Sequence, residues 1–83
     1  MFIPLVSCQD VEVRKFYYGS GELRGTVTYV DDVRQGEFKY YYKTGELKSI
    51  SNYVDGVKQG EEKLYSKSGK LLHTINYVGG VKQ

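Results

Sequence analysis

Eighty-three residues with a formal charge of +2, nine Tyr, three Phe, no Trp, one Met, ten Gly and one Pro leave room for one small domain. A chain this short buries only about 60–65% of the surface its unfolded form exposes, so its core is small and its stability modest. The charge is weak and spread out, with no basic run longer than Arg14-Lys15, which speaks against a strong nucleic-acid or membrane patch.

The first eleven residues, MFIPLVSCQDV, form a segment of their own. Two readings of it stand open. Leu5-Val6-Ser7-Cys8 has the form of a lipobox, a short motif before a Cys that would be lipidated at Cys8 and anchor the chain in a cell envelope. Against this, a signal peptide needs a basic start and an apolar stretch of about 7–15 residues, and only Met1 to Ser7 precede the Cys. On the second reading Phe2 to Val6 caps the first hairpin, Cys8 is a small hydrophobe, and the chain as written is cytoplasmic. An upstream start would restore the lipid anchor. A single Cys makes no internal disulfide.

From Glu12 onward the chain consists of three gapless 24-residue units, 12–35, 36–59 and 60–83. Eight columns are identical in all three: Lys15/39/63, Tyr17/41/65, Gly21/45/69, Leu23/47/71, Tyr29/53/77, Val30/54/78, Val33/57/81 and Gln35/59/83. A period of this length marks a solenoid or array, whose units bury apolar surface against their neighbours. In the middle copy Phe38 to Tyr42 reads as a strand, Lys43-Thr44-Gly45-Glu46 as a turn, and Leu47 to Val54 as a second strand. Asp55-Gly56 follows as a type I′ hairpin signal. Asp31-Asp32 and Gly79-Gly80 take that place in the other copies, and Asp-Asp makes the first connection the weakest. No helical periodicity occurs. The fold class is all-β: an elongated single antiparallel sheet of stacked hairpins.

Alternation assigns faces. Leu47 and Tyr53 are an even number of residues apart, so the Leu and Tyr29/53/77 columns are expected together in the core, and Leu47→Ala should cost about 2–4 kcal/mol there. Phe16/Tyr40/Leu64 and Tyr17/41/65 leave the preceding strand aromatic on both faces. One of those faces is either a packing layer or a binding surface.

The aromatic pair, the Gly-Glu/Lys-Leu turn, the strand ending in Tyr, and Asp-Gly followed by Lys-Gln-Gly resemble the MORN repeat. The similarity is greatest to the bacterial variant of antitoxin-like proteins, as in YYKTGELKSISNYVDGVKQGE at Tyr41 to Glu61. The resemblance covers residues 12–83 and implies a twisted sheet of hairpins that acts as a scaffold or binding module. Some members carry an antitoxin label, and others are linked to membranes, phosphoinositides or dimerisation. Asp32, Glu12 and Glu62 depart from the pattern.

Catalytic chemistry is not expected. His73 sits in a column otherwise filled by Gly25 and Ser49, and one His with one Cys cannot assemble a usual zinc set, so no metal or cofactor is expected. The serines lack activating partners, and Glu61-Glu62 and Asp31-Asp32 are adjacent pairs that diverge on strands. The expected function is non-enzymatic: binding of a protein partner, toxin-like in an antitoxin-like chain, through Tyr17, Tyr41 and Tyr65 with Lys15, Lys39 and Lys63 on the same face. The alternatives are that these Tyr only pack within the sheet, that the Lys column weakly binds anionic lipid head groups, or that the chain is a lipid-anchored envelope protein. Nucleic acid is not expected as a ligand. At the C-terminal end, Leu72, Tyr77 and Val78 add apolar surface beside an open edge, and a homodimer or a partner is expected there.

Overall fold

The computed structural model describes residues 10–83. Eight strands follow one another: β1 (Val11–Tyr17), β2 (Leu23–Val30), β3 (Val33–Tyr41), β4 (Leu47–Val54), β5 (Val57–Lys58), β6 (Gly60–Tyr65), β7 (Leu71–Val78) and β8 (Val81–Lys82). They build one open antiparallel sheet in the order β1-β2-β3-β4-β6-β7-β8, with β5 also on β4. The described residues extend over 48 × 34 × 19 Å, a thin body whose smallest dimension includes the twist of the sheet. The expected hairpin meander is therefore present. The Phe2–Val6 cap and the Cys8 reading lie outside the described residues.

Both turn families fall where their residues require them. Asp31 and Asp32, Asp55 and Gly56, and Gly79 and Gly80 all have positive φ, between 50° and 87°, as both central residues of a type I′ turn must. Asp31 and Asp32 take this conformation without glycine's freedom, which marks the first connection as the strained one. At the opposite end the longer turns repeat bond for bond. Tyr18 N donates to Glu22 O, Tyr42 N to Glu46 O and Ser66 N to Lys70 O, at 2.8–2.9 Å, around Gly21, Gly45 and Gly69.

The core is thin and lies on one face. Opposed partners form the row Phe16, Gly25, Tyr40, Ser49, Leu64 and His73 across six strands. The adjacent row runs Arg14, Val27, Phe38 and Ser51. Val27 and Phe38 are the buried apolar residues, and Ser49 and Ser51 are buried beside them. Phe16 packs edge-on to Phe38 and Tyr40, with centroids 5.8 and 5.5 Å apart, and Phe38 stacks on Tyr40 at 5.0 Å. Large rings alternate with small residues because a single layer has no second sheet to fill the gaps. Gly25 is the tightest position. A Cβ there would come within 2.4 Å of Phe16 Cζ and 2.5 Å of the Lys39 carbonyl.

The Leu column departs from expectation. Leu23 and Leu47 are half-buried and Leu71 is 47% exposed. A bulge is the reason. The register skips Arg24, Lys48 and Leu72, so Leu23, Leu47 and Leu71 stand opposite Tyr17, Tyr41 and Tyr65. Even spacing fixes a common face only along an unbroken strand, and one extra residue turns everything beyond it to the other side. The Tyr29/53/77 column keeps its place on the packed face, half-buried.

Candidate interaction surface

The side chains that join one repeat to the next fix the spacing of everything on the surface. At the longer-turn end, Tyr18 Oη donates to the Tyr41 carbonyl at 2.6 Å and Tyr42 Oη to the Tyr65 carbonyl at 2.7 Å. At the type I′ end, Gln35 is carried in a bulge: Val27 pairs with Phe38 and Tyr29 with Arg34, leaving Gln35 to Glu37 against Thr28 alone. Gly36, at φ 89°, permits it, and Gly60, at φ 86°, does the same after Gln59. Gln35 Oε1 accepts from Asp55 N at 3.0 Å while its Nε2 donates to Asp55 Oδ1 at 2.7 Å. Gln59 Oε1 accepts from Gly79 N at 2.7 Å. Each repeat is thus latched at both ends of its strands.

Cations reinforce the latches. Arg34 lies 5.4 Å from the Tyr53 ring centroid and Lys58 Nζ 4.6 Å from that of Tyr77, the same relation one repeat on. Burial pulls Lys58 down, but the hydrogen bond and charge of Glu62, 3.1 Å away, outweigh it and hold the ammonium above its ordinary value. Arg14 sits 3.9 Å over the Tyr29 ring. The Arg34 Nε hydrogen bond, followed by the nearby guanidinium charges, holds the Tyr29 hydroxyl below its usual value.

On the opposite face, partners in register form the row Lys15, Thr26, Lys39, Ile50, Lys63 and Thr74. The three Lys therefore lie in one line, two strands or about 10 Å apart. Tyr17, Tyr41 and Tyr65 stand two residues further along the same strands. Tyr17 is 56% exposed, whereas Tyr41 and Tyr65 are half-buried. Lys39 pairs with Glu37 at 3.4 Å and Lys63 with Glu61 at 4.0 Å, so the row is an alternating polar surface with a small positive excess. Where the ladder between β4 and β6 thins to two partner pairs, a shallow hollow of about 230 Å³ opens beside Lys63, lined by Glu37, Ile50, Asn52 and Glu61 among others.

The MORN repeat variant matches residues 13–31, 34–55 and 58–78, in step with the hairpins. The chain belongs to that family. No curated protein and no solved structure matches it. MORN repeats are in general binding and scaffolding modules without catalysis of their own, and a one-layer sheet of latched hairpins has the form of such a module.

The remaining positions singled out in the sequence fall at different places. Leu72 and Val78 are exposed, at 52% and 58%, and Tyr77 is half-buried under Lys58. His73 is exposed. No three His, Cys, Asp or Glu gather at metal-binding distance among the described residues. Sequence reasoning passed over Tyr18 and Tyr42, because the third MORN unit has Ser66 in their place, and gave the invariant Gln no role. The signal was present in the Gln column itself, since an invariant amide beside a glycine suits a side-chain latch onto backbone.

Proposed function

We propose that this MORN-repeat chain is a non-enzymatic scaffold that binds a protein partner through the face carrying Lys15, Lys39 and Lys63 with Tyr17, Tyr41 and Tyr65. The observation that supports this reading is the unbroken register row, which spaces three equivalent Lys along one open face while the aromatic packing is kept to the other. Equivalent groups about 10 Å apart suit a partner that contacts several repeats at once, so modest contacts add up. Tyr provides contact area at low entropic cost, and Lys a polar rim. A toxin-like partner fits the antitoxin-like variant that the repeat resembles. Self-association through the last repeat rests on the exposed Leu72 and Val78 of β7, with Tyr77 half-buried between them. β8 pairs with β7 at Tyr77 and Val78, so the open part of that edge lies nearer Leu72.

A photo-cross-linking residue at Thr26, between Lys15 and Lys39, tests the proposal in cells. A discrete protein adduct that vanishes on reversing the three Lys to Glu is expected. An adduct indifferent to the reversal would contradict the proposal, as would cross-links to lipid alone or none. Vesicles with and without anionic lipid, at low and physiological salt, distinguish the lipid head-group alternative.

A further inference from the structure

The aromatic face carries its own charge pattern near the longer turns. Arg24 lies 5.7 Å from the Tyr18 ring centroid, and Lys43 approaches the same ring at 5.5 Å. One repeat on, Lys48 and Lys67 stand 5.7 Å from the Tyr42 ring. Each tyrosine that latches two repeats is thus bracketed by one cation from its own unit and one from the next. The ion pairs among the described residues engage Arg14, Lys39, Lys58 and Lys63 but none of these four. The carboxylates in the same turns, Glu22 and Glu46, are turned back onto Ser20 and Thr44.

The bulge gives the cations something to border. By skipping Arg24 and Lys48 it places them beside the packed face, where they line a groove of about 310 Å³ with Tyr18, Tyr40, Ser49 and Leu64. Tyr40 is 37% exposed and Leu64 half-buried, so the floor is aromatic and aliphatic. In the third repeat the bulge residue is the exposed Leu72, which ends the cationic border and extends apolar surface.

We infer that this groove binds an extended acidic peptide segment, with carboxylates recurring about every 10 Å to meet Arg24 and Lys48, one apolar side chain on Tyr40 between them and a second on Leu64 beyond Lys48. The interval follows from the sheet. Arg24 and Lys48 are equivalent residues two strands apart, and three residues of chain in the polyproline II form of extension, which returns residue i+3 to the face of residue i, span nearly the same length. The basic border and apolar floor call for opposite charge and an apolar residue together, which neither a bare polyanion nor a purely hydrophobic segment supplies. The site is on the other face from Lys15, Lys39 and Lys63, and the inference stands without the proposal made for them.

Fluorescence anisotropy with the labelled peptide Glu-Gly-Leu-Glu-Gly-Leu-Glu-Gly-Leu tests it on the whole chain. Binding is expected at low salt and should weaken as salt rises. It should be lost when Gln replaces Glu in the peptide, and fall at least five-fold in Arg24→Gln/Lys48→Gln. A Lys15→Gln/Lys39→Gln/Lys63→Gln variant removes one charge more, yet should lose less affinity than Arg24→Gln/Lys48→Gln, which separates contact in the groove from the overall charge of the chain. Both variants change exposed or half-exposed side chains, and circular dichroism melts establish that each is folded. Single Arg24→Gln and Lys48→Gln variants, each expected to lose part of the affinity, provide the same test should the double variant fail to fold. Absence of binding at low salt would overturn the inference. So would equal binding of an oligo-dT of the same charge, or affinity unmoved in the Arg24 and Lys48 variants.

Discussion

Gly25 shows how much one position decides in a sheet one layer thick. The space that a side chain would need is taken by the Phe16 ring and the Lys39 carbonyl, so Gly25→Ala must push the ring off its contacts with Phe38 and Tyr40. A loss of about 1–3 kcal/mol is expected, read as a lower midpoint in urea. Leu47→Ala is a milder change than the even spacing of the sequence suggests. Its half-buried side chain should cost about 1–2 kcal/mol, and exposed Lys48→Ala should stay within about 0.5 kcal/mol. Equal melting-temperature shifts for those two would contradict the burial described. Tyr42→Phe isolates the latch, because it removes only the hydroxyl that bonds the Tyr65 carbonyl, and about 1 kcal/mol should go with it. Glu22 and Glu46 are held below the usual carboxylate range by hydrogen bonds from Ser20 and Thr44. Their contribution is present above the unfolded carboxylate pKa and disappears as the pH falls through the folded one.

Among the elements, the turns were legible and the bulges were not. Gly and Asp at fixed intervals mark positive φ directly, so both turn families could be read from residue type alone. A bulge at Arg24, Lys48 or Leu72 leaves no comparable mark, since those residues are as common in regular strands. That is why even spacing gives the Leu column the wrong neighbours, while Lys15, Lys39 and Lys63, which lie between the bulges of their hairpins, keep their register in one line. Gly36 and Gly60 read as repeat openings, but their backbone frees the Gln that latches the next turn. The groove was illegible for the same reason, because alternation assigned its cations to the opposite face. The strained first turn gives a prediction with the opposite sign. Asp32→Gly relieves a positive φ at the cost of an exposed contact with Arg14, and should stabilise the chain by roughly 0.5 kcal/mol, or a few degrees in melting temperature.

At the scale of the whole molecule, stability and surface come from the same period. Two buried apolar side chains are too few to hold 74 described residues by themselves, so hydrogen-bonded latches and neighbour-to-neighbour contacts have to do much of it. An open sheet also leaves its ends exposed. Sedimentation at tens of micromolar should show a dimer that Leu72→Lys dissociates, and a monomer unchanged by that substitution would remove self-association through the last repeat. On the function proposed for it, one face of this sheet is a protein-binding surface spaced by the repeat. Reversing Lys15, Lys39 and Lys63 to Glu together, with the fold followed by circular dichroism and the adduct at Thr26 followed by cross-linking, tests it most directly. An unchanged β-sheet spectrum with loss of the adduct is expected, and an adduct that survives in the folded variant would contradict a protein-binding role for this face.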